Sequence, residues 1–286
     1  MISEEQQTEL RKRFNPDGST LRAMQLKMVE MLEYFDSICK QHNIKYWLSS
    51  GTLLGAVRHG GFIPWDDDVD VSLPRDEYER FLAVAEKELP DYYFLQTKDT
   101  DPEYPNNFAK IRDSRTAFVE TSARNLKINH GAYIDIFPLD NYPKGFKAKI
   151  YEIRKTLLTW RINTVFYLPN KSLKSKLLTA VTCILYPSVK KAIEKREKLF
   201  KSVPESGLVV NNSGAWLHKE IIPAEWVKGS IEMEFEGIKV RVSDKYDEWL
   251  TFVYGDYMSP PPESERVGHH YTDIFDMDRS YTEYIN

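Results

Sequence analysis

The stretch LSSGTLLGAVRHGGFIPWDDDVDVSL, residues 48–73, places a serine–glycine turn and a short apolar segment ahead of a dense run of acids. Four of its last eight residues are aspartates, at positions 66, 67, 68 and 70. Four carboxylates this close repel one another. A folded chain therefore keeps them either in a solvated acidic loop or around something positive.

The end of this stretch has the two-residue period of a β-strand. Asp68 and Asp70 alternate with Val69 and Val71, so a strand would point both carboxylates to one face and both valines to the core. Along a strand such carboxylates lie about 7 Å apart, and they can share one or two hard cations such as Mg²⁺. We predict that Asp68 and Asp70 bind a metal and that Asp67 points away from them.

A second apolar segment, YIDIFPLD, supplies a third carboxylate. Asp135 lies between Ile134 and Ile136, and a lone aspartate inside an apolar strand is costly unless it is paired or ligates a metal. If this strand lies beside the first, Asp135 completes a three-carboxylate cluster with Asp68 and Asp70. We expect Asp140 to lie in the loop beyond, as a turn residue.

The turn at the start of the stretch predicts a phosphate site. Ser50, Gly51 and Thr52 lead into an apolar segment that Gly60 closes, which is typical of a helix with a glycine at its C-terminus. A helix N-terminus offers unpaired N–H groups and a partial positive charge to a phosphate, and Gly51 allows close approach. Together with the carboxylates, the turn predicts a site for phosphate and metal.

Three other interpretations of the acidic run are open. A calcium-binding loop would need a glycine at its sixth position, where this chain has Val71. A glycosyltransferase with an Asp-x-Asp motif would need a nucleotide-binding half before the motif, and about 45 residues after Leu21 are too few for it. A solvated acidic turn fits residues 66–68 but not the alternating valines.

The rest of the pattern predicts an α/β (α+β) fold with a mixed β-sheet and flanking helices. Apolar residues at helical spacing predict a helix from Leu21 to near Gln41, and YYFLQT and FAKIRDS predict further strands. IEMEFEGIKVRVS predicts a hairpin that turns at Glu236-Gly237, with Glu234 opposite Lys239. We divide the chain into an N-terminal arm (1–20), a catalytic core (21–143) and a helical basic segment with the C-terminal region (144–286).

The quoted motifs, YWLSSGTLLGAVRHGGFIPWDDDVDV, YIDIFPLD and the later YGDYM, closely resemble those of the LicD family of phosphotransferases, which is related to fukutin-type proteins. The resemblance implies a nucleotidyltransferase-like fold. It also implies transfer of phosphocholine, or a related phospho-alcohol, from a CDP-activated donor to a sugar hydroxyl, with release of CMP. By matching position, Gly51-Thr52 correspond to the family's glycine turn, Asp68 and Asp70 to its metal pair, and Asp135 to its third carboxylate.

The resemblance gives further residues an expected role. Lys110 and Arg112, two apart on a strand, would neutralise the donor diphosphate, or else they are solvated cations on a surface strand. Trp65 is a candidate for a cage around choline, since aromatic faces attract quaternary ammonium groups, although core packing is the alternative. Arg58 and His59 end the predicted helix, and His269 and His270 are either metal ligands or residues of a surface loop. We expect Mg²⁺ or Mn²⁺ as cofactor.

Charge is distributed unevenly along the chain. The net charge is −4, which argues against a dedicated nucleic-acid binder, but residues 144–201 hold 15 Lys and Arg against three acids. That segment therefore has a charge of +12, which leaves −16 on the remainder. Such asymmetry predicts an anionic partner such as a membrane surface, or a solvated helical face.

The N-terminus MISEEQQTEL is polar and acidic, unlike a signal peptide, and the two cysteines suit a reducing compartment. We expect a cytoplasmic enzyme with a peripheral position at the inner face of the membrane. Its expected acceptors are glycans such as lipopolysaccharide or teichoic acid, or their lipid-linked precursors. A nucleotidyltransferase that releases pyrophosphate, and a non-catalytic binding protein on the same scaffold, are the other function classes.

Overall fold

The computed structural model describes residues 2–166, 172–268 and 270–285, with the backbone alone described at residue 217. The helices are α1 (Glu4–Phe14), α2 (Thr20–Gln41), α3 (Ser50–His59), α4 (Arg75–Glu88), α5 (Phe146–Phe166), α6 (Leu173–Leu185), α7 (Val189–Lys201) and α8 (Tyr246–Tyr254). The strands are β1 (Trp47–Leu48), β2 (Asp70–Pro74), β3 (Tyr93–Gln96), β4 (Ala109–Asp113), β5 (Ala117–Glu120), β6 (Ala132–Asn141), β7 (Leu208–Asn211), β8 (Ile221–Pro223), β9 (Ser230–Phe235), β10 (Ile238–Ser243) and β11 (Thr272–Asp276). The predicted mixed α/β class is confirmed.

The main sheet is mixed and is organised around β6. Its order is β1-β2-β6-β4-β3, with β7 paired to β6 and β8 to β7. Only the β2–β6 pair is parallel among the pairings of this sheet that the structure describes. Since β6 is ten residues long, its first half pairs with β4 and its last three residues pair with β7. The strand therefore joins the predicted core to the C-terminal half of the chain.

Helix α2 supplies much of the core, as its apolar spacing predicts. Its side chains Met24, Met28, Met31 and Phe35 are fully buried in the main hydrophobic cluster. Ser19 caps the helix by accepting a hydrogen bond from a first-turn backbone N–H. The predicted extent of this helix is confirmed within one residue at its start.

Two details of the predicted strands are wrong. The strand that holds the aspartates begins at Asp70, so Asp68 precedes it, because β6 begins to pair with this segment at Asp70 and β1 pairs later still. Asp140 is not in a turn: it is a buried residue of β6, and both of its carboxylate oxygens accept hydrogen bonds from Arg75, at 2.7 and 2.8 Å. That ion pair compensates its burial.

The β9–β10 hairpin has the predicted register. Lys239 lies opposite Glu234 and Arg241 opposite Glu232, and the turn falls at Glu236-Gly237. Glu236 adopts a left-handed conformation (φ 51°). Opposite charges on one face and apolar pairs on the other therefore fixed the pairing.

The C-terminal segment completes both sheets that surround the core. Strands β7 and β8 extend the main sheet, and β11 pairs antiparallel with β5. From the sequence, the helices of the basic segment are expected to break near Pro169 and Pro187. Its described residues form three helices, and Pro187 separates α6 from α7, whereas Pro169 lies outside the described residues. Within the described ranges, no helix has both the length and the apolar character needed to cross a membrane.

The Glu236 carboxylate ties the hairpin to the core, and its neutralisation should destabilise the protein. It accepts hydrogen bonds from Arg22 (2.7 Å), Arg11 (3.2 Å) and the Phe62 backbone N–H (3.1 Å), and its side chain is 5% exposed. We expect Glu236→Gln to lower the free energy of unfolding by about 2 kcal/mol, measured by urea denaturation.

The exposed hairpin residue Glu234 provides the matched control, since Glu234→Gln should change the free energy of unfolding by less than about 0.5 kcal/mol. Equal losses in the two variants would show that the hairpin, rather than the Glu236 contacts, carries the effect.

Candidate active site

A cavity of about 850 Å³ opens where α3, the start of β2 and the middle of β6 meet. Both halves of the chain form its walls, since residues from 50–70, 104–137, 213–219 and 253–270 line it. Its acidic lining residues are Asp66, Asp68, Asp70, Glu120, Asp135, Asp256 and Glu265, and its basic ones are Arg58, Lys110, Arg112, Lys219 and His270. The cavity therefore combines opposite charges at close range.

A row of charged side chains crosses three strands at the cavity floor. Asp70 of β2 is aligned with Asp135 of β6, and Asp135 is aligned with Lys110 of β4. Aligned residues on neighbouring strands point to one face of a sheet, and all three line the cavity. Lys110 Nζ lies 2.6 Å from Asp135 Oδ1, in the geometry of an ion pair rather than of a hydrogen bond. The prediction that the two acidic strands are neighbours is confirmed.

The carboxylates of this site are held in an unfavourable environment. Burial, followed by the charges of neighbouring carboxylates, raises the pKa of Asp66 and of Asp70 well above the ordinary value. Burial also raises the pKa of Asp135, although the charge of Lys110 partly offsets it. The site thus stores electrostatic strain that a bound cation would relieve.

The N-terminus of α3 faces the same cavity and has no side-chain cap. Ser49 at the N-cap makes no hydrogen bond to the first-turn N–H groups, which leaves them available to an anion. Ser50 has a positive φ of 50° and hydrogen-bonds through its side chain to Asp70. Strained backbone of this kind concentrates at functional sites.

The other two residues of the predicted phosphate turn have structural contacts. A Cβ atom on Gly51 would lie 2.7 Å from Asp66 Oδ2, so any other residue here would displace the Asp66 carboxylate. Thr52 is 2% exposed, is absent from the cavity lining, and accepts the Asp70 backbone N–H at 2.9 Å. Ser50 and Gly51 therefore line the cavity, whereas Thr52 orients Asp70.

Lys110 and Arg112 both line the cavity, and neither is a solvated surface cation. Lys110 Nζ lies 3.3 Å from the centroid of the Tyr133 ring, and the Arg112 guanidinium carbon lies 4.6 Å from it. Arg112 donates to Gln96 Oε1 and to the Gly131 carbonyl oxygen, at 2.6 and 2.8 Å. These contacts fix the positive charge of Lys110 beside Asp135 and that of Arg112 beside Glu120.

His270 brings the C-terminal segment onto the acidic run. Its backbone N–H donates to Asp67 at 3.0 Å, and its ring Nδ1 lies 3.0 Å from the other oxygen of that carboxylate. Burial would lower the pKa of His270, but Asp67 and the charge of Asp68 raise it to about 9, so the ring is positively charged at neutral pH. His269 lies outside the described residues.

The tightest group of possible metal ligands differs from the predicted one. Among the described residues, ligand atoms of Asp67, Asp68 and His270 lie within 4.8 Å of one another. Asp67 and His270 are bonded to each other, so their ligand atoms are already engaged. Asp68 belongs to this group and also lines the cavity with Asp70 and Asp135.

Trp47 and Trp65, which precede and follow the glycine turn in the sequence, lie in different places. Trp65 lines the cavity, but it is 6% exposed, and the Arg266 guanidinium carbon lies 5.7 Å from its ring. Trp47 is absent from the lining and donates to the Gly229 carbonyl oxygen. Trp65 is therefore the one of these two tryptophans that a ligand in the cavity can reach.

Several lining residues escape sequence reasoning. Glu120 lies at the end of β5, and although burial would raise its pKa, Lys110 and Arg112 hold it below the ordinary value. Trp216 and Lys219 come from a loop in the C-terminal half. Nothing in the local pattern marks these residues, because the β5–β11 and β6–β7 pairings that bring them in are short and distant in sequence. Arg58 lies at the end of a helix, as expected, but its position in the cavity lining was not predicted.

The mixed sheet, the buried carboxylates and the uncapped helix N-terminus define a class of protein, an enzyme that handles phosphate on an α/β scaffold. The family model described as LicD/FKTN/FKRP, nucleotidyltransferase domain, matches residues 43–174. The chain belongs to this LicD family, because it is 34% identical to one family member over 98% of that protein's length.

Three curated relatives illustrate the range of the family. Lipopolysaccharide cholinephosphotransferase LicD of Haemophilus influenzae is 34% identical over 272 residues, which cover 90% of this chain and 98% of that protein. Human Ribitol 5-phosphate transferase FKRP is 46% identical over 44 residues, 15% of this chain and 9% of its own length. Mouse Ribitol-5-phosphate transferase FKTN is 36% identical over 78 residues, 26% of this chain and 17% of its own length.

Because the cavity carboxylates are buried and repel one another, we expect that removing one of their charges stabilises the protein. Asp70→Asn removes a buried charge from among like charges, and the new amide oxygen can still accept a hydrogen bond from Ser50. We expect the free energy of unfolding at pH 7 in EDTA to rise by about 1–2 kcal/mol. Exposed Asp76 is the control, where Asp76→Asn should change it by less than about 0.5 kcal/mol.

The pH dependence of the stability difference between wild type and Asp70→Asn provides a second check. Since the folded pKa of Asp70 is raised, folding favours its protonated form, and that contribution is lost as pH rises through the folded pKa. The difference between wild type and Asp70→Asn should therefore shrink as pH falls from 7 towards 5. A destabilised Asp70→Asn variant at pH 7 would contradict this description of the site.

Proposed function

We propose that this LicD-family enzyme transfers phosphocholine, or a related phospho-alcohol, from a CDP-activated donor to a sugar hydroxyl of a cell-surface glycan or its lipid-linked precursor. The main observation is the charged row Asp70–Asp135–Lys110 beside the uncapped N-terminus of α3, in one cavity. Supporting it is the similarity over 90% of the chain to the Haemophilus influenzae protein named for cholinephosphate transfer to lipopolysaccharide. We propose a lipopolysaccharide-type glycan as acceptor on that ground.

The residues present fit a divalent cation. Asp68, Asp70 and Asp135 offer hard oxygen ligands, and a bound cation would offset the crowding of these carboxylates and the burial that raises the pKa of Asp70 and of Asp135. Asp135 is paired through Oδ1 with Lys110 Nζ at 2.6 Å, and a carboxylate has further lone pairs that can ligate a cation. We propose that these three residues hold Mg²⁺ or Mn²⁺, which when bound would stabilise negative charge on the phosphoryl oxygens.

The chain's own groups account for donor binding and orientation. The first N–H groups of α3, at Ser50 and Gly51, face the cavity and would bind the diphosphate of the donor. Lys110 and Arg112 are fixed beside it and would stabilise the charge that develops during transfer. In an enclosed cavity such fixed charges act more strongly than they would in water.

The proposed reaction is a displacement at phosphorus. The acceptor hydroxyl oxygen forms a bond to the phosphorus that bears the alcohol, the bond from that phosphorus to the bridging oxygen breaks, and CMP leaves with the electron pair. The hydroxyl proton passes to a carboxylate. Asp135 has a raised pKa and is placed for this role, which is an alternative to its role as a metal ligand.

A nucleotidyltransferase reaction is the second candidate, because the matching family model is described as a nucleotidyltransferase domain. In that reaction the enzyme moves the nucleotide and releases pyrophosphate instead of CMP. The two candidates therefore differ in their small product.

The first experiment measures that product. The protein is incubated with Mg²⁺, a lipopolysaccharide acceptor and CDP-choline, CDP-ribitol or CDP-glycerol, and CMP and pyrophosphate are quantified. We expect acceptor-dependent CMP release, and we expect Asp68→Asn and Asp70→Asn to lower kcat by about 10³-fold while remaining folded. The surface variant Asp76→Asn should keep wild-type kcat.

Pyrophosphate formation from CTP and a phospho-alcohol, without CMP release, would favour the second candidate. Full activity of Asp68→Asn with an intact fold would exclude the proposed site.

Trp65 gives a test of how the alcohol is recognised. If its ring contacts the quaternary ammonium of choline, Trp65→Leu should raise KM for CDP-choline about tenfold and change KM for CDP-ribitol much less. Trp226→Leu, which removes a partly buried tryptophan outside the cavity lining, is the control. An unchanged KM for CDP-choline, or an equal rise for both donors, would show that Trp65 acts by packing alone.

A further inference from the structure

Exposed apolar side chains are concentrated on two neighbouring helices. Of 17 large hydrophobic side chains that are exposed in the described part of the chain, nine lie between Phe146 and Leu185, on α5 and α6. Leu173 is 85% exposed, Ile184 80% and Leu177 67%. Single exposed apolar residues are normal on a protein surface, but a cluster of this kind marks an interaction site.

Helix α6 exposes its apolar face to solvent and packs its polar face against the protein. Leu173, Leu177 and Ile184 are spaced by four and seven residues, so they share one face of the helix, and this face is open to solvent. Thr182 lies on the opposite face and is fully buried, and Thr179 accepts a hydrogen bond from Trp160 of α5 at 3.1 Å. A surface helix of a globular protein normally exposes its polar face to solvent, whereas α6 exposes its apolar face.

Helix α5 continues this apolar surface. Phe146, Ile150 and Ile153 are exposed, and at spacings of four and three residues they share one face. Trp160, seven residues after Ile153, lies on the same face and contacts α6. Helix α6 therefore covers the end of this face, and the first two turns of α5 leave the rest of it open.

The exposed charges around the surface are predominantly positive. The sequence has no Asp or Glu between Glu152 and Glu194. Exposed cations flank the apolar residues, and they are Lys147, Lys149 and Arg154 on α5, Lys174 and Lys176 on α6, and Lys190 and Lys191 at the start of α7. An acid-free apolar surface with a basic border has the composition of a helix that lies in the headgroup region of an anionic membrane.

We propose that the open faces of α5 and α6 form a membrane-docking face that lies on an anionic lipid bilayer. Helix α6 has 13 residues and is about 20 Å long, too short to span a bilayer of ~30 Å but suited to lie along its surface. A second copy of the chain is a poorer occupant, because a two-fold interface would place the basic border of one copy against that of the other. The proposal therefore commits to anionic lipid.

Helix α5, which carries part of the docking face, lies next to the site. Helix α5 follows β6 directly, and Tyr151 of α5 donates to Asn212 Oδ1 at 2.8 Å, adjacent to Ser213 in the cavity wall. Docking would hold the cavity close to the bilayer surface, where a lipid-linked glycan would be presented. This last step rests on the proposed function, whereas lipid binding itself does not.

Vesicle co-sedimentation tests the docking face without donor or acceptor. Vesicles of phosphatidylcholine alone are compared with vesicles in which about a third of the lipid is phosphatidylglycerol. We expect the wild type to bind the anionic vesicles and Leu177→Glu/Ile184→Glu to bind them at least about tenfold more weakly. Leu26→Glu, at a 48% exposed leucine on α2, should bind like the wild type, and Lys174→Glu/Lys176→Glu should lose the preference for anionic lipid.

The remaining outcomes would overturn the proposal. These are no binding even at low salt, equal binding by the wild type and the Leu177→Glu/Ile184→Glu variant, or a wild-type dimer in solution that this variant dissociates without any vesicle binding. CMP release with a water-soluble acceptor, measured on the same variant, should be unchanged. A loss of lipid binding is thereby separated from a failure of the proposed transfer.

Discussion

The parallel register of β2 and β6 sets Asp70 beside Asp135, and this placement of two buried carboxylates is the constraint on which the site depends. Neighbouring strands are about 4.8 Å apart, so the two charges cannot separate without loss of the pairing that builds the sheet. Burying them is costly unless positive charge or hydrogen-bond donors compensate. Lys110 on β4 and Ser50 on α3 supply part of that compensation, and the cavity between them leaves room for the rest.

The C-terminal half closes the site around these charges. The loop that follows β7 contributes Lys219, and the segment before β11 contributes His270, which is bonded to Asp67. Arg58, at the end of α3, donates to the Tyr257 carbonyl oxygen and so joins α3 to the same segment. Enclosure lowers the local dielectric, and therefore each fixed charge in the cavity acts on a substrate more strongly than it would in solvent.

The sequence correctly predicted the elements that are determined by interactions between residues close together in the chain. The length of α2 and the register of β9 and β10 follow from periodicity, capping and cross-strand pairing within short segments. The prediction that the strand includes Asp68 was wrong, because the start of β2 is determined by its pairing with β6 and not by the alternation of side chains. Glu120 could not be found, since its position depends on the distant pairing of β5 with β11. Asp140 was misplaced because its partner, Arg75, lies 65 positions away.

The exposed apolar face of helix α6 is not explained by the stability of the fold. Burial of apolar area stabilises a fold, yet this helix buries Thr182 and exposes Leu173 and Ile184, so its outward face contributes nothing to stability in water. An exposed apolar face is also a liability for association in solution. The sequence nevertheless borders this face with lysines and has no acid in residues 153–193. Apolar area and one sign of charge are together suited to an anionic lipid surface, where water is displaced and the lysines meet phosphate groups.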